Sequence, residues 1–114
     1  MDFNEMIEPF SWHEHDNSSF SLTLYVGEYK NEVFETRADE GFLGNGYDWE
    51  SLVRVFLDEK MPELAEILNF DYESSMFCIY SKDADSLKKF ILNFKSACED
   101  DKLIYDLFSR AELD

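Results

Sequence analysis

The chain contains two histidines, His13 and His15, whose type and spacing could support metal chemistry. On a β-strand both imidazoles would point to the same side and Glu14 to the other. A metal site needs at least one further ligand, and Asp16 is too close in sequence to complete it easily. We therefore expect surface histidines and no metal. An enzyme with a metal or carboxylate site would require a pocket beside this pair.

A second candidate for chemistry is the glycine-rich segment GFLGNG, residues 41–46, which leads into a helical pattern. Such a loop often binds phosphate, but this one matches neither common nucleotide-binding motif. The charged residues around it are all acidic and would repel a phosphate: Asp39, Glu40, Asp48 and Glu50. We expect no cofactor here. We expect a corner of the fold, in which Asn45-Gly46 supplies the positive φ of a tight turn.

Nucleophilic catalysis has no recognisable motif in this sequence. There is no G-x-S-x-G segment, and the two cysteines, Cys78 and Cys98, fall at apolar-patterned positions typical of buried thiols. They match no metal-binding spacing. Carboxylate pairs are unspecific because the chain has 26 acidic residues. We therefore predict a protein without catalytic residues, metal or cofactor.

Charge is the most informative property of the composition. The 114 residues suggest one domain spanning residues 1–114, and their net charge is −16. Such a chain is repelled by nucleic acid and by anionic lipid, and it is attracted to a basic protein. No signal peptide or membrane span is evident, so we expect a cytoplasmic protein.

The first third of the chain predicts strands. Residues 19–26 alternate, with Phe20, Leu22, Leu24 and Val26 on one face. A short strand is expected at Phe10–His13. The segment EVFETRA, residues 32–38, predicts a second strand that forms a hairpin with residues 19–26.

A long helix is predicted after the glycine segment. Asp48 is the expected N-cap, and Tyr47 and Leu52 stand at the spacing of a hydrophobic staple. The expected buried stripe is Trp49, Leu52, Val53, Phe56 and Leu57, and the expected outward residues are Glu50, Arg54, Asp58 and Glu59.

The second half of the chain predicts a short helical segment at Pro62–Glu66, then two strands around a turn at Glu73–Ser75. The second of these strands is apolar on both faces and is expected to be central and covered on both sides. A helix capped by Asp83 and a last short helix follow. The predicted fold is α+β, with a mainly antiparallel sheet and two to three helices packed on one side.

Four segments in a fixed order carry a resemblance to a known family: GNGYDW (Gly44–Trp49), LVRVFL in the following helix, PEL (Pro62–Leu64), and FDYESSMFCIYS (Phe70–Ser81). Together they resemble the bacterial immunity protein 51 family over roughly residues 19–108. Proteins of this kind are encoded beside polymorphic or contact-delivered toxins. The resemblance implies a non-enzymatic antitoxin that binds the C-terminal domain of one cognate toxin in the cytoplasm.

The resemblance leaves the toxin and the inhibited step open. Many such toxins are nucleases, whose basic surfaces would attract this acidic chain. The inhibitor either covers the active site or binds elsewhere. The recurrent residues of the motifs either maintain the scaffold or select the toxin: Tyr47, Asp48, Trp49, Asp71, Glu73 and Phe77.

The candidate partner-binding residues follow from acidity, from exposure expected near the corner, and from the recurrent motifs. They are Asp39, Glu40, Phe42, Asn45, Tyr47, Glu50, Asp58, Glu59, Asp71 and Glu73. An acidic nucleic-acid mimic or a regulatory adaptor would share the charge but not the selectivity. The expected state is a monomer or a weak dimer, with no direct nucleic-acid or membrane contact.

Overall fold

The computed structural model describes residues 3–16, 18–71, 73 and 75–113. Its strands are β1 (Ser11–Glu14), β2 (Phe20–Tyr25), β3 (Asn69–Phe70) and β4 (Met76–Ser81). Its helices are α1 (Phe3–Ile7), α2 (Asn31–Glu35), α3 (Gly46–Lys60), α4 (Ala84–Glu99) and α5 (Asp101–Phe108). Short 3-10 helices cover Ala38–Glu40 and Pro62–Leu64. No helix in these described ranges has the length and apolarity needed to span a membrane.

The strands form one antiparallel sheet in the order β1-β2-β4-β3. In the central pair, Leu22 lies opposite Ile79 and Leu24 opposite Phe77. These four side chains point to the same face and are buried. The predicted mainly antiparallel sheet and the predicted central position of β4 are confirmed.

The helices pack against this buried face, as the α+β prediction requires. Asp83 caps α4 as predicted, because its carboxylate accepts the N–H of Ser86 at 3.1 Å. The predicted apolar stripe of α4 is buried: Leu87, Phe90, Ile91, Phe94, Ala97 and Cys98. Trp49 of α3 is also buried, and the rings of Phe10, Phe34 and Phe94 contact it at centroid distances of 5.1 to 6.2 Å. This aromatic cluster is the centre of the core.

The predicted hairpin between residues 19–26 and 32–38 is wrong. The partner of β2 in the hairpin is β1, with Trp12 opposite Leu22, and residues 31–35 form α2 instead. The physical reason is that the consecutive residues Val33 and Phe34 are both buried. A strand would send them to opposite faces, whereas one helical turn lets both pack inward.

The prediction that β4 is covered on both sides is also wrong. The second face of the sheet, called the open face below, consists of the side chains that alternate with the core residues. It comprises Ser11, His13, Ser21, Thr23, Tyr25, Asn69, Asp71, Met76, Cys78 and Tyr80. Tyr25 is 75% exposed and Tyr80 41%. The sequence pattern misleads because Tyr80 has an apolar ring but carries a hydroxyl that can stay in water, and Met76 is only half-buried, while the small Cys78 is buried among its neighbours.

Candidate functional site

The glycine segment does form a corner, but a different residue caps the helix. The side chain of Asn45 accepts the N–H of Asp48 at 2.9 Å, so Asn45 is the N-cap of α3. Asp48 is buried inside the first turn, and its carboxylate accepts the N–H groups of Leu43 at 2.7 Å and Gly44 at 2.8 Å. The predicted cap at Asp48 is therefore wrong. The predicted staple between Tyr47 and Leu52 fails with it, because Tyr47 already lies inside the helix.

At Gly46 the corner lies against the turn between β3 and β4. A Cβ atom at this position would overlap the carbonyl oxygen of Glu73 and would lie 2.6 Å from that of Met76. Only glycine permits this approach of α3 to the β3–β4 turn. The expected positive φ at Asn45-Gly46 is wrong. Within this segment, the residues with positive φ are Gly41 and Gly44, at 112° and 78°.

The corner presents apolar side chains to solvent. Leu43 is 79% exposed, Tyr47 41% and Leu113 46%, and the three line one shallow pocket together with Asn45. We call these four residues the corner surface. Sequence reasoning missed Leu43 and Leu113. The exposure of Leu43 could have been predicted, because it lies in a glycine-rich loop where no core face is expected. The place of Leu113 could not, because only the folded chain brings it to Gly41.

Two predicted contact residues are buried, and their assignment to the surface is wrong. Phe42 packs against Phe108 at a centroid distance of 4.9 Å, beneath the guanidinium of Arg37. Glu50 is buried in an ion pair with Arg54, which in turn lies 4.7 Å above the ring of Phe70. Arg54 thus supplies the charge that a buried carboxylate requires.

Two other predicted acids are exposed but already paired. Arg37 binds both carboxylate oxygens of Glu40, at 2.9 and 2.8 Å, and this hydrogen bonding lowers the pKa of Glu40. Arg110 binds Glu59 at 2.6 and 2.7 Å and lowers the pKa of Glu59 in the same way. These internal pairs reduce the charge that Glu40 and Glu59 offer to a partner.

The remaining predicted acids are exposed: Asp39, Asp58, Asp71 and Glu73. Within the described part of the chain, none of the four forms an ion pair. Asp39 lies two residues before Gly41 in the sequence, and the backbone of Glu73 approaches Gly46, so both acids belong to segments that adjoin the corner. Asp58 lies further along α3, in a pocket with Arg110 and Glu112. Asp71 belongs to the open face.

The histidines bind neighbouring hydroxyl groups. Nε2 of His13 lies 3.1 Å from Oγ1 of Thr23, and Nε2 of His15 lies 2.8 Å from Oγ of Ser21. Within residues 3–16, 18–71, 73 and 75–113, no three potential ligands are grouped around a metal position. The arrangement holds the β1–β2 hairpin together.

Both cysteines are buried, as predicted. Burial raises the pKa of the Cys98 thiol to about 12. Burial, together with the charge of Asp71, raises that of Cys78 to about 11. Both side chains are therefore neutral thiols near pH 7, which makes them poor nucleophiles.

Comparison with known proteins agrees with the resemblance drawn from the four sequence segments. The family model described as immunity protein 51 matches residues 10–113, which extends beyond the segment from residue 19 to 108. Comparison with curated proteins and with solved structures gave no significant match. The match covers nearly the whole chain, including the corner surface and both central strands, and the chain therefore belongs to the immunity protein 51 family.

Proposed function

We propose that this immunity protein neutralises a cognate toxin by binding its C-terminal domain through the corner surface. The observation that carries the proposal is the set of three exposed apolar side chains around one pocket, Leu43, Tyr47 and Leu113. Two exposed acids, Asp39 and Glu73, belong to the segments that adjoin Gly41 and Gly46. Specific interfaces commonly have an apolar, aromatic centre and a polar rim. A lone leucine on a surface needs no explanation, but three apolar side chains around one pocket do.

The proposed partner is a basic domain, with a nuclease as the leading candidate. Its surface would place apolar side chains against Leu43 and Tyr47 and would surround them with Lys or Arg. The net charge of −16 supports this choice, because it accelerates association with a basic protein and slows association with an acidic one. The inhibitor would act in the cytoplasm by occupying the toxin and would need no catalytic group.

Net charge alone would equally suit a nucleic-acid mimic or a regulatory adaptor. The apolar centre of the corner surface favours a selective protein partner, because a mimic works chiefly through carboxylates. The two functions differ in the range of proteins that they inhibit. A mimic would inhibit several unrelated DNA-binding proteins, whereas the proposed immunity protein would leave them active.

Co-expression with the toxin gene expected immediately upstream tests the function. The wild-type chain should restore growth, and the purified pair should form a one-to-one complex. A cognate domain that is harmless alone, or that remains toxic beside this chain, would contradict the proposed function.

A matched pair of variants tests the surface. Leu43→Glu should weaken toxin binding about 10-fold or more, since it places a charge in the apolar centre. Leu92→Glu on α4 is the control, because Leu92 is also exposed and apolar but lies away from the corner. Equal effects of the two changes on the dissociation constant would remove the corner surface from the proposal, while co-expression would still decide the function.

A further inference from the structure

The open face differs from the rest of the molecular surface in its charge. Of its ten residues, Asp71 alone is acidic and none is Lys or Arg, although 32% of the chain is charged. Charged side chains normally make up about a quarter to a third of a soluble protein's surface and keep copies apart. The open face has far fewer across β1, β2 and β4.

Part of the polar surface of this face is already hydrogen-bonded within the chain. The hydroxyls of Thr23 and Ser21 already bind His13 and His15. Tyr25 is 75% exposed, and Tyr80, at 41%, is the second aromatic residue of the face. A tyrosine buries a large apolar ring while its hydroxyl stays at the wet rim, which suits a protein contact.

We propose that the open face binds the open face of a second copy of this chain, forming a weak two-fold dimer. The charge distribution identifies the occupant. A basic partner finds only one carboxylate here, whereas two molecules of charge −16 repel each other as wholes. Two copies therefore meet with less repulsion at this face, where each contributes a single acidic residue. The inference does not depend on the proposed toxin binding.

The strand register favours one orientation of the two copies. A two-fold axis parallel to the strands, between β2 and β4, places β2 of one copy over β4 of the other. Thr23 pairs with both Ser11 and Cys78, so these residues lie at one level across the sheet. Asp71 lies at the same level, because its N–H bonds the carbonyl of Cys78. In this arrangement Asp71 of one copy therefore faces Ser11 of the other. An axis perpendicular to the strands would instead bring two copies of Asp71 together.

The size of the face sets the strength of the dimer. A sheet of this width and strand length offers roughly 300 to 400 Å² per copy. The total lies below the roughly 1,200 Å² that stable interfaces usually bury, so we expect a dissociation constant on the order of 100 μM or weaker. At the rim, Glu8 and Glu28 line a pocket with Tyr25 and add repulsion that salt would screen.

Sedimentation equilibrium of the full chain at up to about 1 mM tests the dimer, since that range covers a weak complex. Raising the salt concentration from about 20 mM to about 500 mM should tighten self-association several-fold, because it screens the repulsion. A chain that stays monomeric at every concentration and salt level would overturn the proposal. So would self-association that weakens with salt.

Two tyrosine variants locate the contact. Tyr25→Glu should weaken the dimer about 10-fold or more and should fold normally, because the side chain is exposed. Tyr105→Glu on α5 is the matched control, since Tyr105 is also exposed but belongs to a helix outside the sheet. Equal weakening by both variants would rule out the open face. If Tyr25→Glu removed toxin binding instead of self-association, the face would belong to the toxin and the dimer would be wrong.

A gain of affinity tests the orientation. Ser11→Lys should strengthen the dimer several-fold, because it places an ammonium opposite Asp71 of the second copy. Ser96→Lys on α4 adds the same charge away from the open face and should have little effect. If Ser96→Lys strengthened the dimer equally, total charge alone would account for the gain and the parallel-axis arrangement would be contradicted.

Discussion

The corner surface and the open face are both exposed, yet they are built in different ways. The corner surface combines Leu43 and Asn45 of the loop with Tyr47 of α3 and Leu113 of the C-terminal segment. Asp48 fastens the loop from inside through the N–H groups of Leu43 and Gly44. The open face consists of strand residues whose positions the sheet itself fixes. The loop part of the corner surface can therefore vary in sequence more readily than the strands of the open face.

The two surfaces also differ in charge, and the charge determines which partner each can bind. Exposed acids belong to the segments that adjoin the corner, while the open face carries Asp71 as its single charge. Salt should therefore weaken a contact at the corner with a basic toxin and strengthen self-association through the open face. A single salt titration therefore distinguishes the two contacts, because their affinities should change in opposite directions.

The largest effect should come from Gly46→Ala, which separates the corner from the β3–β4 turn. The new methyl group meets backbone carbonyls that have no room to move, so we expect a loss of at least about 3 kcal/mol in the free energy of unfolding. Chemical denaturation measures it. Gly27→Ala is the control, because its methyl group meets nothing within 4 Å and only its positive φ of 116° is strained. A change at Gly46 as mild as that at Gly27 would contradict the packing.

Asp48→Ala should have the next largest effect and should act on the corner alone. It leaves the N–H groups of Leu43 and Gly44 without their acceptor, which costs about 2 to 4 kcal/mol for two donors. The free energy of unfolding, measured with denaturant, and the affinity for the toxin should both fall, because Leu43 loses its position. Self-association should be retained in the folded fraction. Asp85→Ala, an exposed acid in the first turn of α4, is the control and should change stability by less than about 0.5 kcal/mol.

The sequence predicted the sheet well where one alternating pattern decided the structure. The alternation of Leu22 with Thr23 and of Phe77 with Cys78 assigned β2 and β4 and their core faces, since strand side chains alternate by geometry. It failed for Val33 and Phe34, whose β-favouring residue types were outweighed by packing against the aromatic core. Only contacts distant in sequence could have revealed that outcome.

The candidate site was predicted less completely, because exposure depends on tertiary neighbours. Tyr47, Asn45 and Glu73 do lie at one corner, but the contact that joins them depends on backbone approach at Gly46. Glu50 was predicted to point outward because it is polar, whereas it is buried beside Arg54, whose guanidinium lies over the ring of Phe70. Residue type alone cannot show that a carboxylate is buried when its counter-ion stands one helical turn away.

A smaller effect should follow from neutralising the carboxylates beside the corner. The double change Asp39→Asn with Glu73→Gln should lower the association rate constant with a basic toxin several-fold at low salt, and less at high salt. Stopped-flow mixing measures it. The control is Glu59→Gln, which removes an acid that Arg110 already pairs. If that control slowed association equally, total charge rather than the corner would steer the encounter.

The smallest effect should be the pH dependence of the ion pairs that hold the C-terminal segment beside the corner. Hydrogen bonding to Arg110 lowers the folded-state pKa of Glu59 and of Asp106. Their contribution to stability is therefore present above the usual carboxylate pKa of about 4 and is lost as pH falls through the lower folded values. Arg110→Gln should reduce the melting temperature slightly at pH 7, and the difference from the wild type should vanish in strong acid. A difference that grew on acidification would contradict the role of these pairs, whereas self-association through the open face should be the same in both proteins at neutral pH.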